Sequence, residues 1–255
     1  MDAGAAGNGH LDGPAIWARV NEVDPVVREH TRQAEINRHL SKPVVDALRW
    51  AGVFRMAMPI AWGGPELDVC SQVEVIERLA RADASAAWCA MIGVESGFFA
   101  SYLDDSVARV RYPGLDMITA GFQGPAGALE PCCGGYRLSG QWSFGSGINH
   151  ADVIVGGAFV MGNGQPRSTR SGRPEHRIAL LPTEQWEVLE TWDPDGLAGT
   201  GAMTTGSRTH SCPRTIPSSP ANVGAPNLCT RGSDCRPPAA SGCRSARPAW
   251  RAPPR

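Results

Sequence analysis

The chain has 255 residues and a formal net charge of −1, a length that allows one large domain or two modest ones around a real core. No apolar run approaches the roughly 20 residues of a membrane helix, and Met1 to Gly13 lacks the basic-then-apolar order of a signal peptide, so a cytoplasmic protein without a membrane partner is expected. Cys70, Cys89, Cys132, Cys133, Cys212, Cys229, Cys235 and Cys243 form no close CxxC or CxxH pair and come with no sign of an oxidising compartment, which argues against a metal centre and a disulfide framework.

Residues 1–13, rich in Gly and Ala, read as a disordered N-terminus, and 14–113 as a helical domain. Ile16, Val20, Val23 and Val27, then Ile36, Leu40, Val44 and Leu48, recur at helical spacing. Ser41 with Pro43 marks a helix start. Met58 to Pro65 is a breaker-rich loop; Val69, Val73, Ile76, Leu79 and Ala80 make an amphipathic helix, and Ala84 to Leu103 reads as a helix buried on several sides. The period then changes. Met117 to Phe122, Tyr136 to Phe144, Val153 to Val160 and Arg177 to Leu181 read as antiparallel strands of a β-domain over 114–201, with Gly162 to Pro174 a solvated hairpin loop. Helices followed by strands give an α+β fold class.

Composition breaks at Gly201–Ala202. Residues 202–255 hold eight Arg, nine Pro and four Cys, no Lys or Glu, and one acid, Asp234. Their charge is therefore about +7 against −8 for the rest. So few apolar residues cannot offset chain entropy, and a disordered tail is expected. Its Arg residues are unclustered and lack interleaved aromatics, which argues against a nucleic-acid partner.

Composition and period name no chemistry; particular strings go further. Ala51-Gly52-Val53, Pro59 and Gly63-Gly64-Pro65-Glu66, the helix start Asp83-Ala84-Ser85-Ala86-Ala87-Trp88, and the block from Gly134 to Gly147 followed by His150-Ala151-Asp152 resemble the acyl-CoA dehydrogenase superfamily. Trp192-Asp193 with Gly196 to Gly201 is similar to a strand end of that family. The Trp142-Ser143-Phe144-Gly145-Ser146-Gly147 string resembles its flavin-dependent hydroxylase branch, the oxygenase components of two-component aromatic hydroxylases.

That resemblance implies an acyl-CoA dehydrogenase-like fold and a flavin, FMN or FAD. An isoalloxazine ring needs an apolar wall, small residues for close approach and a few donors at its polar edge. Trp142 and Phe144 are expected as the wall, Gly145 for close approach and Ser146 as a donor, with Thr119, Ala120 and Gly121 along the pyrimidine side. The bland alternative is that Trp142 and Phe144 merely share one face of a strand. Glu95 and Ser96 are expected at the substrate pocket, where hydroxylase relatives often carry a His, and His150 in a packing or hydrogen-bonding role. The family's proton-handling residue lies further downstream, so no catalytic base is assigned. Thr119 to Pro125 lacks the dehydrogenases' T-E-P-x-x-G-S-D string. This favours a monooxygenase, supplied by a separate flavin reductase and acting on an aromatic or polycyclic small molecule, over an FAD-dependent acyl-CoA dehydrogenase; the remaining alternative is a non-catalytic fragment.

In that family the strand after Gly-Thr-Gly is acidic and aromatic, and a helical bundle follows that builds the homo-oligomer. Residues 202–255 show no such pattern. Ala202 to Ile216, written in permitted codons and read two bases later, gives Asp-Asp-Tyr-Arg-Ile-Glu-Asp-Ala-Phe-Val-Pro, close to the family strand; the second Asp is forced by Met203-Thr204. A frameshift just after Gly201, a missing bundle and an inactive truncated product are the expectation.

Overall fold

A computed structural model describes residues 11–132 and 135–207. The expected tail beyond Ser207, Cys133, Gly134 and the first ten residues lie outside the described residues.

The helical half comprises α1 (Gly13–Asn37), α2 (Lys42–Ala51), α3 (Val69–Ala80), α4 (Ala84–Gly93), α5 (Glu95–Ser101) and α6 (Asp105–Arg111). Their starts are chemically marked. Asp12, Asp68 and Asp83 each accept a backbone N–H of the first turn, from Ala15, Ser71 and Ala86. Ser41 caps α2 by position, with no side-chain bond. Ile16, Val20, Leu48, Phe54, Leu79 and Ala90 anchor one core.

Four expectations are corrected here. Leu11 is buried in this core and α1 begins at Gly13, so order starts before residue 14. Ile36 is exposed near the end of α1, because the helix stops at Asn37 and Arg38 turns into the left-handed region; Ala34 is the inward residue. In α3 the buried residues are Val75 and Leu79, which leaves Val69 and Val73 outside. The expected helix from Ala84 to Leu103 is two helices meeting at Val94, and it is exposed at Trp88, Met91 and Phe98.

The other half is a sheet of β1 (Thr119–Cys132), β2 (Gly135–Gly145), β3 (Val153–Gly162), β4 (Gln165–Pro166), β5 (His176–Pro182), β6 (Trp186–Leu189) and β7 (Met203–Ser207). The order is β4-β3-β1-β2-β7-β6, with β5 also on β3. Leu129, Trp142, Ile154, Val160, Leu180 and Trp186 form its core.

The sheet is mixed, not antiparallel throughout. After the β1–β2 hairpin the chain turns through Ile148–His150 and returns beside the start of β1, so β3 runs parallel to β1, Thr119 opposite Val153. Sheet order also continues past Gly201, because backbone pairing needs no particular side chains. Trp142 pairs with Thr205 and Trp186 with Ser207, and Thr205 is fully buried. The described sheet therefore extends past the composition break.

Asp152 pins the halves together: its Oδ2 accepts from the Arg49 guanidinium at 2.8 Å and from the Ile118 backbone N–H at 2.8 Å. Buried Arg55 pairs with Asp116 in the same seam. Among the described residues no helix is long and apolar enough to cross a membrane.

Candidate functional site

A hollow of about 500 Å³ opens between the α4–α5 junction, the middle of β1, the end of β2 and the segment leading into β7. Trp88, Ile92 and Glu95 lie one helical turn apart and face it together. The junction at Val94 holds Glu95 there because Gly97 lets α5 lie directly on the Ala57–Met58 backbone, where a Cβ would meet the Ala57 carbonyl.

The β1 wall is irregular. Its register against β3 slips between Phe122 and Pro125, which turns Phe122 and Gln123 toward the hollow. Gly121, at φ 124°, passes so close to the Val155 carbonyl that a side chain there would collide with it.

The β2 wall ends in a second slip, between Trp142 and Gly145 opposite β7. Within it Phe144 takes φ 66°, a left-handed conformation that costs a residue with a side chain of order 1–3 kcal/mol. Its ring leaves the sheet, is 65% exposed, and meets Trp192 edge to face at 6.3 Å. Trp192 is held by its own indole N–H donating to the Ala198 carbonyl and by Arg38, which donates to the Trp192 carbonyl and pairs with Asp193.

Polar groups in the hollow are few. Ser146 Oγ accepts from the Trp88 indole at 2.9 Å and keeps its own proton to donate. Thr200 Oγ1 is spent on the Leu197 carbonyl. Gln123 donates to Glu95 Oε2 at 3.0 Å, and burial pushes the Glu95 carboxyl above its ordinary range.

Of the residues expected at a site, Glu95, Gly121, Phe144 and Ser146 come together here. The others do not. Trp142 is 1% exposed inside the sheet, donates to the Gly157 carbonyl at 2.6 Å and packs on Trp186, so it forms no wall of the hollow; the β2 slip parts it from Phe144. Gly145 is buried against Ile148. Ala120 is buried, and Thr119 and Ser96 bond each other at 2.8 Å, with Tyr112 on Thr119 and the Met117 carbonyl on Ser96. That buried network ties α5 and α6 to β1. His150 packs without a hydrogen bond: both ring nitrogens are buried and unpartnered among the described residues, and burial with Arg49 nearby lowers its pKa to about 4. Trp88, Ile92, Phe122, Gln123, Trp192 and Leu197 were not anticipated at the site. Only the Trp88 and Trp192 motifs carried a signal, as bulky aromatics beside helix-start and turn residues.

A helical layer beside a mixed sheet, with a hollow at their junction, defines an acyl-CoA dehydrogenase-like fold, and residues 19–105 match the acyl-CoA dehydrogenase N-terminal domain. An indole-3-acetate monooxygenase of Pseudomonas putida is 35% identical over 192 residues, 74% of this chain and 46% of that protein. The oxygenase component of an FADH(2)-dependent resorcinol hydroxylase from Rhizobium sp. (strain MTP-10005) is 32% identical, over 74% of this chain and 45% of its own length. The crystal structure of the HsaA monooxygenase from M. tuberculosis superposes with a TM-score of 0.72 at 26% identity, covering 80% of this chain and 52% of that one. The chain thus carries a match to the acyl-CoA dehydrogenase N-terminal domain, is similar to oxygenase components named as flavin-dependent monooxygenases, and spans about half the length of the relatives it matches.

Proposed function

We propose that the chain carries the N-terminal and middle parts of a flavin-dependent oxygenase component that hydroxylates an aromatic or polycyclic compound, working with a separate flavin reductase. Relatives named for such reactions support the chemistry. The observation that carries the site assignment is Phe144: strained at φ 66°, largely exposed and braced by Trp192, it spends backbone energy to present a flat apolar surface to the hollow.

The residues present suit a flavin. Phe144 and Trp192 would flank the ring, Gly121 and Gly124 let the β1 backbone approach it, and the free Ser146 hydroxyl proton donates to its polar edge. Reduced flavin, when bound, supplies the activation of dioxygen. Trp88 keeps the Ser146 oxygen occupied and so directs its proton into the hollow. Trp88, Ile92 and Glu95 on the helical side face the substrate.

In this chain the aromatic lining remains open to water, Trp88 and Phe122 being 42% exposed. Weak flavin binding and no turnover are the expectation for residues 1–255 taken alone. Titration of FMN and FAD, oxidised and reduced, followed by flavin anisotropy, tests both parts. Weak uptake that Phe144→Ala abolishes is the expected result. Uptake absent at millimolar flavin removes the flavin assignment; stoichiometric flavin after desalting, or reductase-dependent hydroxylation, removes the claim of inactivity. The composition break supports a shifted reading frame after Gly201, which the nucleotide sequence across Gly201–Ala202 tests.

A further inference from the structure

Among the described residues lining the hollow, Glu95 is the one charged group; no arginine, lysine or histidine shares the wall. Its carboxylate meets no ion-pair partner, and its one hydrogen bond comes from Gln123 to Oε2, which leaves Oε1 unpartnered. Around it stand Trp88, Ile92 and Phe122, with Phe144 and Trp192 opposite. Tyr112 is the titratable group that feels its charge, and burial keeps that phenol protonated well above the ordinary range.

Glu95 is half-buried with Oε1 still open, so a ligand that brings a donor gains a charge-assisted hydrogen bond there. A ligand that brings a second carboxylate instead sets two like charges side by side in the hollow. We propose that Glu95 sets the charge specificity of the hollow: it selects an aromatic ligand carrying a hydrogen-bond donor or a positive charge and turns away an aromatic carboxylate. The proposal rests on the hollow being the flavin-and-substrate chamber. It separates this chain from the Pseudomonas relative, whose name gives an aromatic acid as substrate.

Burial raises the Glu95 pKa, with Gln123 opposing the shift. Selection is therefore strongest where Glu95 is ionised and fades as pH falls through that raised value.

Tryptamine, 3-methylindole and indole-3-acetate share one ring and differ in charge. Equilibrium dialysis of each against the full chain at pH 8 is expected to favour tryptamine over indole-3-acetate by about tenfold or more, the size of a charge-assisted hydrogen bond. Glu95→Gln brings the ratio of tryptamine to indole-3-acetate close to one. Should that variant fail to fold, the native chain gives the same reading, since the ratio of tryptamine to 3-methylindole falls on acidification while tryptamine keeps its charge. Equal affinities, a ratio indifferent to both Glu95→Gln and pH, or binding of none of the three overturns the proposal. FMN dialysed in parallel keeps the two readings apart. Charge selection without flavin uptake sustains Glu95 and removes the flavin, and flavin uptake without selection does the reverse.

Discussion

Trp142 gives its indole N–H to the Gly157 carbonyl at 2.6 Å and meets Trp186 nearly perpendicular at 5.2 Å, with 1% of its surface left to solvent. Phe144, two residues on, has most of its ring in water and a backbone that a glycine would adopt freely. Opposite responses to substitution follow. Trp142→Phe leaves a buried carbonyl without its donor and should cost about 1–3 kcal/mol, read as a lower urea midpoint, with ligand binding per folded molecule unchanged. Phe144→Gly should cost no stability, since the released strain offsets the lost edge contact with Trp192, yet it should abolish flavin uptake. A stable Trp142→Phe that loses flavin would reverse the two roles. His150 gives a pH signature. Its ring is buried and neutral, with Arg49 and His39 opposing a positive charge, so its pKa drops from 6.5 to about 4. The unfolded chain takes up the proton first, so the stability this histidine contributes is intact above pH 6.5 and lost as pH falls toward 4, by a few kcal/mol at most. Urea titrations at pH 7 and pH 4.5 should show that loss, and His150→Gln should reduce it; an unchanged slope would assign the acid sensitivity to other groups.

Helix α4 begins where Asp83 accepts the Ala86 N–H at 2.6 Å, and α5 sits on a neighbouring backbone with only Gly97 between them. The cap is a local bond and the glycine a tertiary fit, and they should fail differently. Asp83→Ala should cost about 1 kcal/mol. Gly97→Ala must push the Ala57–Met58 segment away and should cost more, on the order of 1–3 kcal/mol or above, while also moving Glu95. Thermal melts followed by circular dichroism order the two; a milder Gly97→Ala would mean that α5 can slide. The same contrast explains what sequence could reveal. Asp83 and Ser41 announce helix starts because short polar side chains before an apolar run have few other uses. The cores of β2, β3 and β5 and the Phe144-Gly145-Ser146 string were legible for similar reasons, whereas β1 runs on to Cys132 past its expected end and β4, β6 and β7 were not expected. The two register slips were not, because each depends on how β1 and β2 meet β3 and β7, partners distant in the chain. Strict alternation puts Trp142 and Phe144 on one face; the slip sends one into the core and the other into the hollow. Thr119 and Ser96 were misplaced for a related reason, since their hydroxyls find each other across 23 residues.

At the scale of the whole molecule, the helical and sheet cores are each well filled, and Arg49, Asp152, Arg55 and Asp116 fasten the seam. The uncovered apolar surface gathers elsewhere. Trp88, Phe122, Phe144 and Leu197, each more than 40% exposed, surround one hollow, with Met91 and Phe98 continuing along the same helical layer. Monomeric proteins rarely leave so many large apolar groups together in water. The folded part should therefore be stable enough to unfold cooperatively, yet prone to associate through this face. Sedimentation velocity across a concentration series is expected to show growing association, and a dye that brightens on apolar surfaces should bind the native chain. Phe144→Ser should weaken both signals without lowering the urea midpoint, because Phe144 supports neither core. A strictly monomeric chain that leaves the dye dark would mean that the face is covered in solution. If instead association persists unchanged in Phe144→Ser, the sticky surface lies away from the hollow, and exposed Val69 and Val73 of α3 become the place to substitute next.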